Sequence, residues 1–93
     1  MVSAVVLINA DGGRVNDVAQ ALVQLRGVSQ VFSVAGHFDI VALLNVGENE
    51  DLADLVSDGI RKIPGILKTQ TLIAFRTYTP AEMAAAFSMG VED

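Results

Sequence analysis

Two apolar runs meet at Gly36-His37-Phe38-Asp39, inside the stretch SVAGHFDIVALLNV that covers residues 33–46. His37 is the single histidine of the chain. It stands two positions from Asp39, and on an extended strand that spacing puts both side chains on one face. An imidazole beside a carboxylate can move a proton, but the pair does chemistry only with a nucleophile in reach. The nearest hydroxyl is Ser33, and nothing else in the stretch serves. A histidine-based metal site needs further His or Cys ligands, and the chain has neither. The same four residues also suit a tight turn. Glycine takes positive φ at no steric cost, aspartate accepts bonds from nearby backbone N–H groups, and Phe38 packs on a sheet. Residue chemistry alone leaves turn and site both open.

Thr69 and Thr71, in Lys68-Thr69-Gln70-Thr71, share one strand face with Ile73. Their hydroxyls are either half-exposed strand formers or donors and acceptors for a small polar ligand. The acidic run Glu48, Glu50, Asp51, Asp54, Asp58 reads as a solvated helix face rather than a cation site. Asp11-Gly12-Gly13 lacks the further glycine and the lysine of a phosphate loop. No metal or cofactor is expected.

Composition narrows the classes further. The chain has 93 residues, which suits one domain, and 52% of them are hydrophobic. A chain this short buries only roughly 60–65% of its unfolded surface, so apolar material is left over for a partner subunit. Six Lys+Arg against eleven Asp+Glu give a net charge of −5. That balance offers no broad basic surface to phosphates, so direct nucleic-acid or anionic-membrane binding is not expected. The chain has no cysteine, which removes disulfides, thiolate catalysis and zinc–thiolate sites together. The apolar run Val2 to Ile8 is too short to span a membrane and lacks the basic flank of a signal peptide. A cytoplasmic location is the expectation.

The elements that must position these residues follow from periodicity. Val2 to Ile8 is apolar on both parities, as in a strand buried on both faces. Val15, Val18, Ala19, Leu22 and Leu25 recur at helical spacing, and Gly27 supplies a C-terminal cap. Val28 to Ala35 reads as a second strand and Ile40 to Val46 as a third. A second helix is predicted over Asn49 to Ile63, with the stripe Leu52, Leu55, Val56, Ile60 and Ile63. Its acidic start and its basic end at Arg61 and Lys62 match the helix dipole. Pro64-Gly65 stops it, and Leu67 to Tyr78 reads as a fourth strand. Arg26-Gly27-Val28 and Pro64-Gly65-Ile66 are echoes of one another, so the chain reads as two βαβ halves.

The order βαββαβ implies an α+β, ferredoxin-like fold: a four-stranded antiparallel sheet with both helices on one face. Its first and third strands are central, and these are the two most apolar runs. The other sheet face is apolar as well, with Val41 and Leu43 alternating with Ile40, Ala42 and Leu44. A second copy packed sheet to sheet is the simplest cover. Thr79-Pro80-Ala81-Glu82 has the pattern of a capping box, so a short helix is predicted over residues 79–90, with Met83 and Phe87 on one face.

On these residues a resemblance can be stated. VFSVAGHFDIVALLNV resembles the G-x-[FY]-D segment of the Lrp/AsnC (feast/famine) transcriptional regulators, in their C-terminal effector (RAM) domain. IRKIPGILKTQTLIAF resembles that family's helix end, Pro-Gly turn and last strand. Full-length members carry a helix-turn-helix domain before this module, whereas here the first strand begins at residue 2. The resemblance therefore implies a stand-alone effector domain over residues 1–93 that does not itself bind DNA and is not an enzyme. It implies sheet-to-sheet dimers that assemble into rings, often of four dimers, an octamer. It also implies amino-acid effectors held between dimers by Gly36, His37, Phe38 and Asp39, with Thr69 and Thr71 facing the same site. Co-assembly with a full-length Lrp/AsnC regulator would let such a domain modulate transcription indirectly. Two alternatives share the βαββαβ order: an ACT-like amino-acid-binding domain, and a small ferredoxin-like monooxygenase or isomerase using His37 and Asp39. The second needs a closed apolar cavity around the pair.

Overall fold

The computed structural model describes residues 1–81. Its strands are β1 (Val2–Ala10), β2 (Val28–Ser33), β3 (Ile40–Val46) and β4 (Ile66–Ile73). A turn of 3-10 helix, Gly12–Arg14, leads into α1 (Val15–Val23), and α2 starts as an α-helix over Asn49–Asp54. The strands form one antiparallel sheet in the order β2-β3-β1-β4, so the two most apolar strands are central, as their composition predicts.

Alternation along β1 divides the molecule into two faces. Ala4, Val6, Ile8 and Ala10 are buried, while Val5, Leu7 and Asn9 between them are only half-buried. The register carries the buried set into β3, where Ile8 pairs with Ile40, Val6 with Ala42 and Ala4 with Leu44. Val18 and Leu22 from α1 close over this face, joined by Leu52, Leu55 and Ile60. Each fully buried aliphatic side chain is worth about 1.5–3 kcal/mol relative to exposure. The opposite face has no helix over it among the described residues. It carries Val5, Leu7, Val41, Leu43 and the more exposed Phe32 and Leu72.

Polar residues close one end of that open face. Ser3 Oγ donates to Asn45 Oδ1 at 2.6 Å, Asn45 Nδ2 donates to Ser29 Oγ at 3.1 Å, and Ser29 Oγ donates to the Leu43 carbonyl at 3.0 Å. Ser29 sits where the β2–β3 register shifts, so the bulge brings its hydroxyl onto the ladder.

Element ends differ from the sequence expectation in three places. β4 stops at Ile73, not Tyr78: its ladder with β1 ends at Ala4 and Ile73, with a last bond from Ala74 N–H to the Ser3 carbonyl, and β1 starts at Val2, too few residues on to pair as far as Tyr78. Phe75 and Tyr78 lie beyond it and are exposed. β2 stops at Ser33, short of Ala35. The second helix changes geometry, continuing as a π turn over Leu55–Gly59 and a 3-10 turn over Ile60–Lys62. The π turn moves the buried positions from helical spacing to Leu55 and Ile60, five apart, and Gly59 lets that wider turn lie against Leu25. Pro80 and Ala81 are helical. The rest of the helix expected over 79–90, including Glu82, Met83 and Phe87, lies outside the described residues.

Candidate functional site

The loop between β2 and β3 holds the four residues singled out first, and the end of β1 shapes it. Asp39 uses three of its groups on this anchor. Its N–H donates to the Ile8 carbonyl at 2.9 Å, its carbonyl accepts from Val34 N–H at 2.9 Å, and its Oδ2 accepts from Ala10 N–H at 2.9 Å. β1 has no β3 partner past Ile8, so the aspartate takes over the ladder where the strands part. Gly36 has φ 151° with open space where a Cβ would stand, so a side chain there is strained by the backbone and not by a neighbour.

His37 is exposed, and Phe38 and Asp39 are half-buried. The His37 carbonyl accepts from Asn9 Nδ2 at 2.8 Å, which draws the loop tip back over the end of β1. Among the described residues, no acceptor meets the N–H groups of Ala35, Gly36, His37 or Phe38. The loop is thus fixed at its base and offers successive donors at its tip. Unpaired backbone N–H groups of this kind can donate to a carboxylate or another small anion. Among the described residues Asp39 Oδ1 has no donor, which leaves it for a group such as an ammonium. Among the described residues the His37 side chain stands exposed, and the Asp39 carboxylate is turned to Ala10.

Thr69 and Thr71 lie elsewhere in the subunit. Thr69 pairs with Ile8 and Thr71 with Val6, so both are on the helix-covered face at the β4 edge. Thr69 shares a row with Ile8 and Ile40, two strand spacings or about 10 Å from the start of β3. Thr71 lines a groove of about 280 Å³ between β4 and α2, with Asn49, Leu52, Val56, Ser57 and Ile73. One subunit keeps the four loop residues together and holds the two threonines apart from them, across β1.

Asn9 escaped the sequence reading. Its signal was present: a polar residue stands next to last in a mostly apolar strand, on the parity of the open face. The acidic run behaves mainly as helix surface. Asp51 accepts Glu48 N–H at 3.1 Å at the start of α2, and Asp58 meets Lys62 at 3.9 Å on exposed surface. No group of metal-ligating side chains forms among the described residues, and none of their helices is long and apolar enough to cross a membrane.

Comparison with known proteins bears on the family and the fold. Residues 3–83 match the model of the Lrp/AsnC ligand-binding domain. An uncharacterized HTH-type transcriptional regulator of Pyrococcus horikoshii, PH1916, is 31% identical over 78 residues, covering 81% of this chain and 52% of that protein. The chain thus spans about half the length of the curated relatives it matches. Among solved structures, TTHA0845 from Thermus thermophilus superposes with a TM-score of 0.81 at 42% identity, covering 85% of this chain and 99% of that one. A feast or famine regulatory protein from M. tuberculosis, complexed with L-methionine, superposes with a TM-score of 0.71 at 29% identity, over 86% of this chain and 54% of its own.

Proposed function

The chain belongs to the Lrp/AsnC ligand-binding domain family, and from that premise we propose that it is an amino-acid-binding, self-assembling effector module. One observation carries the reading. The 35–38 tip presents backbone N–H groups with no acceptor among the described residues, above an aspartate with a free oxygen; an α-amino acid carries the matching carboxylate and ammonium. Gly36, His37, Phe38 and Asp39 form the loop side of the site. Thr69 and Thr71, on the far side of β1, belong to it only when a second dimer brings its own β4 edge to the loop. That requirement makes the site a contact between dimers arranged in a ring. The apolar sheet face, which carries no helix among the described residues, supports the dimer itself.

The acidic balance argues against DNA contact by this domain, so its effect on transcription is indirect, through co-assembly with a full-length regulator in the cytoplasm. A relative bound to L-methionine makes that amino acid the first to try.

A thermal-shift screen of the twenty amino acids tests the proposal. Ligand at 100 times its dissociation constant adds about 2.7 kcal/mol, which in a domain of this size raises the midpoint by roughly 10 °C or more. A shift with at least one amino acid is expected. No shift with any of them would leave the loop a purely structural turn.

A further inference from the structure

The open sheet face and the loop share one residue. Asn9 continues the row Ser3, Val5, Leu7 on the side of β1 that no helix covers among the described residues, and its side-chain amide donates to the His37 carbonyl at 2.8 Å. We infer that Asn9 is the positioning residue of the loop and couples its shape to pairing of the open sheet face. The coupling rests on the sheet-to-sheet dimer proposed above; the positioning role does not.

Asp39 fixes the base of the loop through Ile8, Val34 and Ala10. Asn9 reaches further, to the tip. By holding the His37 carbonyl it fixes the peptide plane that carries the Phe38 N–H. In a single subunit Asn9 is only half-buried, so water competes for this bond. A second sheet closing over Val5, Leu7, Val41 and Leu43 removes that water. The bond strengthens in the lower dielectric, and the tip N–H groups are held in place. Pairing of sheets thereby prepares the loop without itself touching a ligand.

Amide exchange by NMR tests this with no ligand. The reporters are the N–H groups of Ala10, Val34 and Asp39, whose bonds at the loop base open when the tip that Asn9 ties to β1 lifts away; Val6 and Ala42, in the core ladder, are controls. Asn9→Ala and Asn9→Asp both remove the donor, and the second keeps the side chain's shape. Both are expected to speed exchange at the three reporters roughly two- to tenfold, the worth of one hydrogen bond, with the controls unchanged. Unchanged reporters would overturn the positioning role, and controls that speed up equally would reduce Asn9 to general stability. Leu43→Lys, which puts a charge on the open face, is expected to speed the same reporters in the native background but not in Asn9→Ala. Additive effects of the two changes would overturn the coupling. Light scattering on the native chain reads the dimer separately: a monomer there removes the proposed assembly and the coupling together, while the exchange of Asn9→Ala still decides the positioning role.

Discussion

Asp39 meets three backbone partners, and this explains why residue chemistry alone left it between turn and site. The tight-turn reading anticipated a carboxylate accepting a backbone N–H. It could not place that N–H on Ala10, 29 positions earlier in the chain, because the contact exists only once β3 pairs with β1. His37, the conspicuous residue of the sequence, contributes its carbonyl to Asn9 while the residue itself stays exposed. The two roles of Asp39 separate by substitution. Asp39→Asn keeps an oxygen for Ala10 but loses the charge that would meet an ammonium group. Its thermal midpoint is expected to stay within a few degrees of the native chain's, while amino-acid affinity by calorimetry falls at least tenfold, the order of a charge-assisted bond. Equal affinity would leave Asp39 an anchor only.

Periodicity made the elements legible where one partner decides them. The α1 stripe packs as expected, with Val18 and Leu22 buried and Val15, Ala19 and Leu25 beside them. Gly27, read as a cap, has φ 102°, although α1 itself ends earlier, at Val23. Element ends set by tertiary pairing were not legible. β4 ends where its ladder with β1 stops, at Ala4, and the π turn after α2 lies where Gly59 approaches Leu25. Gly27 also shows how closely the elements pack, since a Cβ there would come within 2.9 Å of both Leu55 Cδ2 and Val46 Cγ1. Gly27→Ala combines that overlap with an unfavourable φ and is expected to cost more than about 1 kcal/mol, a drop in midpoint of roughly 4 °C or more by calorimetry.

At the scale of the whole molecule, the sheet has one face closed by helices and one left apolar. The two-parity apolar pattern of β1 and β3 announced this in the sequence, although the polar rim of Ser3, Asn45 and Ser29 depends on a bulge that no pattern showed. If the open face pairs with a second copy, Leu43→Lys leaves the fold intact by circular dichroism and shifts light scattering to the monomer mass. A dimer that survives that charge would move the interface elsewhere. Everything proposed for the site turns on whether the loop and the β4 threonines form one amino-acid pocket in the assembled protein. Amide chemical-shift mapping tests it most directly, titrating in the amino acid that raises the thermal midpoint. Shifts are predicted to concentrate at residues 35–39, Thr69 and Thr71. Shifts confined to other surfaces, such as the groove beside Arg26 and Asp54, or none at all, would contradict it.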